Sequence, residues 1–227
     1  MKRMYILLGL SIAFLQAQDS LKFDFVFNLG INASYVEGVA CQKYEPHRYP
    51  GFQFGLAIEK ENKFSDFGGI EISFEGRGGI WGARFFEPVD GDYVIYNLNY
   101  ISLTPYYRLK SNIGHLFQNF YVILGTPISL LTYARQKWVI EWSGPYDDET
   151  DYPDTGPNIL LPQLNKTEIG LKYGLSFPYF GHLAVEFIFY KAITKLYKSG
   201  YEMHKDDLNN KDEFRNNSFT VRLSYRF

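Results

Sequence analysis

Seven charged residues could act together: Glu71, Glu75, Arg77, Lys172, Glu186, Arg222 and Arg226. Each lies on the polar parity of a segment whose other parity is apolar, so each points to one side of an extended chain. If that side is shielded from water, the acids and bases must pair or be hydrogen-bonded, because an isolated buried charge is very costly. Two kinds of chemistry follow. Tightly paired, the charges form a salt-bridged plug; loosely packed, they line a path for ions or small solutes.

The other candidates are thinner. Between Trp138 and Pro157 stand Glu141, Asp147, Asp148, Glu149, Asp151 and Asp154, with no Lys or Arg. Clustered carboxylates suit hard cations such as Ca²⁺, and Asp147, Asp148, Glu149 and Asp151 come nearest to a metal site. Their spacing is not that of an EF-hand loop, and Pro145, Pro153 and Pro157 imply an irregular path, so no metal is assigned and a solvated loop is expected. His47, His115, His182 and His204 fall in different places, and no two have the spacing of metal ligands on one element. No Ser stands near His47 or His204 in the manner of a hydrolase dyad. No catalytic residue and no cofactor is therefore expected. Cys41 is the single cysteine, so no disulfide can form within the chain.

The elements that must position these residues are strands. In Ser218 to Phe227, the residues Phe219, Val221, Leu223, Tyr225 and Phe227 share one parity, while Thr220, Arg222, Ser224 and Arg226 share the other. Seven earlier segments alternate in the same way: Phe23–Tyr35, Phe52–Ile58, about Gly68–Phe85, about Tyr93–Leu109, about Phe120–Ala134, Thr167–Phe177 and a seventh around Leu183–Phe189. Gly76, Gly78, Gly79 and Gly82 predict a bend or bulge in the third. The fourth has two competing phases, Val94, Tyr96 and Leu98 against Ile101, Leu103 and Tyr107. Pro127 is awkward inside the fifth.

Ahead of the strands, Lys2 and Arg3 precede an uncharged stretch from Met4 to Leu15, with a cleavage position after Ala17. That reads as a secretory signal peptide over 1–17, leaving one domain over 18–227. Mean hydropathy is −0.22 although Phe, Tyr and Trp together make up 19% of the chain. Alternating strands that average out, with aromatics at two membrane interfaces, account for both values. Net charge is −2, which argues against nucleic acid as a partner. The expected fold is all-β: an eight-stranded antiparallel transmembrane β-barrel of the outer-membrane type. An even number of strands puts both termini on one side, the periplasm. The long connections, about Glu37–Pro50, Phe86–Asp92, Gln136–Lys166 and Lys198–Asn217, then face outward. The short ones, about Glu59–Asp66, Lys110–Gln118 and Pro178–His182, face inward.

The segments Asn97 to Leu109 and Glu168 to Leu175, with the aromatic ending, resemble the small outer-membrane β-barrel proteins of Bacteroidota, the PorT-like families; the OmpX type is a more distant likeness. The ending itself resembles the assembly signal of such barrels, carried here by Phe219, Val221, Leu223, Tyr225 and Phe227. The resemblance implies the cell outer membrane, with its lipid and lipopolysaccharide, the barrel assembly machinery and other cell-envelope proteins as partners. It specifies architecture, and no residue motif transfers a role in secretion. A barrel of eight strands has an interior that side chains just fill, which favours the plug over the path. The expected function is a non-enzymatic structural or surface-interaction role through the outer loops. The alternatives are a narrow channel, a lipid A-modifying enzyme and an accessory component of protein secretion.

Overall fold

The computed structural model describes residues 23–37, 48–61, 67–82, 93–113, 117–139, 164–196, 198 and 214–227. Residues 1–17, read above as a signal peptide, and Cys41, His47, His115, His204 and the acidic residues Asp147, Asp148, Glu149 and Asp151 lie outside them.

Alternation produces strands throughout: β1 (Phe23–Glu37), β2 (Tyr49–Glu61), β3 (Phe67–Gly82), β4 (Tyr93–Ile113), β5 (Phe117–Gly125), β6 (Ile128–Val139), β7 (Thr167–Phe180), β8 (Leu183–Ala192) and β9 (Arg215–Arg226). β5 and β6 are two halves of one crossing, since both pair with β4 and both reach β7. The interruption falls at Thr126 and Pro127, where proline has no N–H for the ladder. Thr126 N to Pro105 O and Gly170 N to Pro127 O, each 3.1 Å, bridge the gap. Neighbouring crossings are antiparallel, and β1 pairs with β9 from Val26↔Arg226 to Glu37↔Arg215. The eight crossings therefore close on themselves and leave no edge strand, as a membrane-spanning sheet requires. The fold is an eight-stranded antiparallel transmembrane β-barrel.

The two faces differ in chemistry. Leu29, Ile31, Phe54, Leu56, Ile72, Leu103, Leu130, Leu171, Phe189 and Leu223 project outward and are exposed. A belt of that kind, running round every crossing, far exceeds the apolar patches of soluble monomers and belongs in lipid. Asn28, Gln53, Ser73, Ser102, Thr104 and Ser176 alternate with them and are buried in the lumen. Below, "lower" denotes the end where β1 begins and β9 finishes, and "upper" the opposite end. Upper connections run over 38–48, 83–92, 140–166 and 193–214, and lower ones over 62–66, 114–116 and 181–182. The last is a tight turn in which Gly181 takes a φ of +44°, a left-handed value that glycine adopts without strain.

Three sequence expectations are corrected. The glycines of β3 produce no bulge: β3 registers on β4 without a break from Phe67↔Arg108 to Gly82↔Tyr93. Gly78 instead serves close approach, since a Cβ there would lie 2.0 Å from the Tyr96 carbonyl oxygen. The two phases of β4 are one phase, with Tyr96, Leu98, Tyr100, Ser102, Thr104, Tyr106 and Arg108 all facing the lumen. Irregularity in β4 lies instead in its register with β6 at Asn99/Tyr100 and with β5 at Ser111/Ile113. Finally, Glu59 is not part of a turn; β2 continues to Glu61 and carries Glu59 into the lumen.

Candidate functional site

The lumen is filled by charges in a continuous chain of contacts. At its upper level, Arg77 on β3 donates from Nη1 to Glu168 Oε1 of β7 at 2.6 Å and from Nε to Glu75 Oε2 at 2.9 Å. Its guanidinium lies between two rings, 3.8 Å from the Tyr190 centroid and 4.9 Å from that of Tyr100. Both tyrosine hydroxyls donate to Glu168, at 2.5 Å from Tyr190 and 3.4 Å from Tyr100, and Asn216 Nδ2 adds a third donor at 2.8 Å. Gly170 makes the room: a Cβ there would stand 2.3 Å from the Tyr190 ring.

One level down, Gln53 Nε2 links Glu75 and Glu71 at 3.1 and 3.3 Å. Glu71 receives Arg222 Nη1 on both oxygens, at 2.8 and 2.9 Å, and Lys172 Nζ at 3.1 Å. Arg222 also reaches Glu186 through Nε at 2.6 Å. Lower still, Arg108 bridges Glu186 and Glu59, each at 2.6 Å. Glu59 accepts from the Tyr106 hydroxyl and from Arg226 Nη2, both at 2.5 Å. Arg226 is the one member at the rim, 27% exposed in its side chain.

Among the described residues, five acids, Glu59, Glu71, Glu75, Glu168 and Glu186, thus meet five bases, Arg77, Arg108, Lys172, Arg222 and Arg226, and the charges balance. Neutrality and multiple hydrogen bonds per carboxylate are the conditions under which buried ions are tolerable. Such a lumen can hold the crossings in register. Above it, Val36, Tyr96, Leu98, Leu131, Ala134, Leu164, Leu196 and Phe214 form an apolar cluster together with Tyr100. Leu164, Leu196 and Phe214 come from just beyond the upper ends of β7, β8 and β9 and are tied by Asn165 N to Leu196 O, 2.8 Å, and Leu196 N to Phe214 O, 2.7 Å.

All seven charges singled out from the sequence lie in this network. Glu59, Arg108 and Glu168 also belong to it and were missed. Glu168 had a usable signal, since it sits on the polar parity of β7 four positions before Lys172. Among the described residues no group of three or more His, Cys, Asp or Glu is placed to hold a metal. Phe219, Val221, Leu223, Tyr225 and Phe227 all lie on the outer parity of β9 and its end, and Phe227 N bonds Phe25 O at 2.9 Å across the seam.

No protein-family model matches the chain, and neither does any curated protein. Among solved structures it is similar to Neisserial surface protein A, with 11% identity, a TM-score of 0.44 and coverage of 89% of this chain and 97% of that one. It is also similar to Ail, the attachment invasion locus protein of Yersinia pestis, with 14% identity, a TM-score of 0.40 and coverage of 90% and 98%. The N-terminal β-barrel domain of Pseudomonas aeruginosa OprF gives 10% identity, a TM-score of 0.29 and coverage of 88% and 97%.

Proposed function

We propose that the chain is a plugged barrel of the cell outer membrane, with its lower end in the periplasm and its upper connections meeting partners at the cell surface. The observation that supports this is the filled lumen: a charge-neutral ionic chain roofed by an apolar cluster. An eight-stranded interior packed side to side offers no continuous water path, so interaction falls to the connections. The partners in this reading are outer-membrane lipid, lipopolysaccharide, the barrel assembly machinery and other envelope proteins. The role is non-enzymatic, and lipid A from a deletion strain keeps its mass spectrum. The kinship with PorT-like barrels of Bacteroidota rests on the segments 97–109 and 168–175.

Purified protein in a planar bilayer is expected to show no steady conductance, and Arg77→Ala with Arg222→Ala is expected to open a small leak. Well-defined conductance steps from the unaltered protein would replace the plug with the narrow channel. Orientation has its own test in Cys41, the single thiol, which lies between β1 and β2. A membrane-impermeant maleimide should label it on intact cells.

A further inference from the structure

The exposed charges at the two ends of the barrel are distributed differently. At the lower end they are mixed: Asp24 lies 3.8 Å from Arg226, and Lys60 adjoins Glu61. At the upper end, the exposed charges of β7–β9 and their flanks among the described residues are basic. Lys166, Lys191 and Lys195 are exposed there, and Arg215 is half-buried. Lys195 lies beside Lys166, where the Asn165 side chain donates to Lys195 O at 2.7 Å, and Lys191, four residues before Lys195, registers with Leu171 and Asn217 a step lower on the wall. Among the described residues, Glu37 is the acid at this edge, registered with Arg215 and bonded by Asn217 Nδ2 at 2.8 Å.

Lys191 fixes the depth of this patch. It lies on the lipid-facing parity between Phe189 and Ile193 and opposite Leu171, all exposed apolar side chains. A lysine at such a position carries its ammonium to the headgroup layer while its stem stays in hydrocarbon. Directly below is an aromatic run, with Tyr173 stacked on Phe189 at 5.6 Å and Phe189 against Phe219 at 4.8 Å. Positive charge at headgroup depth above a flat apolar surface matches one kind of molecule, an anionic lipid.

We propose that this face of β7–β9 binds a phosphorylated glycolipid of the outer leaflet, its phosphates held by Lys166, Lys191 and Lys195 and its acyl chains lying on Tyr173, Phe189 and Phe219. The proposal rests on the outward placement of the upper end given above.

The test uses the full chain refolded in neutral detergent and titrated, by native mass spectrometry, with diphosphorylated lipid A, the same lipid dephosphorylated, and phosphatidylglycerol. Diphosphorylated lipid A is expected to bind best. The K166Q/K191Q/K195Q variant, checked to remain heat-modifiable, is expected to lose at least about tenfold of that affinity, as three lysines at an anionic surface imply. A K60Q/K110Q variant at the lower end should lose none. Unchanged affinity in the triple variant overturns the site, and equal binding of phosphatidylglycerol overturns the choice of glycolipid. Labelling of Cys41 on cells separates the two failures. A labelled Cys41 with an unresponsive triple variant removes the site and leaves the orientation standing, whereas an unlabelled Cys41 overturns the orientation and the site with it.

Discussion

In the middle of the lumen Arg222 reaches Glu71 and Glu186 at 2.8 and 2.6 Å, whereas at the upper end Leu98, Leu131, Leu164, Leu196 and Phe214 meet without a charge among them. Both regions are buried, but they constrain the barrel differently. Apolar packing is nondirectional and tolerates a shifted neighbour if volume is kept. The ionic chain is directional: each guanidinium has particular oxygens on particular strands, and a slip of one residue would send it into lipid. The middle therefore specifies register, while the upper cluster closes the lumen with residues drawn from beyond the strands.

Removing one partner from the middle should have the largest effect. Glu71→Ala leaves Arg222 and Lys172 facing each other and is expected to cost about 3–5 kcal/mol in reversible unfolding in lipid. Combining Glu71→Leu with Arg222→Met and Lys172→Met should recover most of that loss. A cost below about 1 kcal/mol for the single change would mean that the site is wet. On the lipid face, Leu171→Arg should destabilise by about 2–4 kcal/mol, while Lys172→Gln, one residue away, leaves the barrel inserted. Equal tolerance would dissolve the distinction between inside and outside on β7. In the apolar cluster, Leu98→Ala should cost roughly 2–3 kcal/mol, and no second truncation among its neighbours should restore it. Recovery there would show that the upper end behaves like the ionic middle. Phe227→Ala touches neither region, so its cost in unfolding should stay below about 1 kcal/mol. Its delivery to the outer membrane, read by fractionation and heat-modifiability, should fall by more than that cost explains.

The contrast between the two regions also shows why part of the molecule was legible and part was not. β7 and β9 run beside the ionic middle, so polar inside and apolar outside alternate cleanly. β4 passes from the apolar cluster to the ionic zone. Its lumen-facing residues change from Tyr96 and Leu98 to Ser102, Thr104 and Arg108, and one continuous phase reads as two. Arg108 was lost to that ambiguity. Glu59 was lost because its segment ends in a run of charges, Glu59, Lys60 and Glu61, that looks like a turn. Leu164, Leu196 and Phe214 carry no periodic signal, because they lie outside regular strands and are placed by tertiary contacts alone.

The sequence separation of the lumen contacts has a kinetic consequence. Arg222 and Glu71 are 151 positions apart, Arg226 and Glu59 are 167, and Ser224 and Asn28 are 196. Contacts this remote contribute nothing until the loop between them has closed, which makes the topology slow to form. They also come from β9, the last strand to leave the ribosome, meeting β1, β2 and β3, the first. The charges of β2 and β3 must therefore stay hydrated while the rest of the sheet assembles, and they lose water only as the β1–β9 seam zips. Drying of the interior and sealing of the wall are one event, which ties the arrival of β9 to the moment at which the barrel becomes a single cooperative unit.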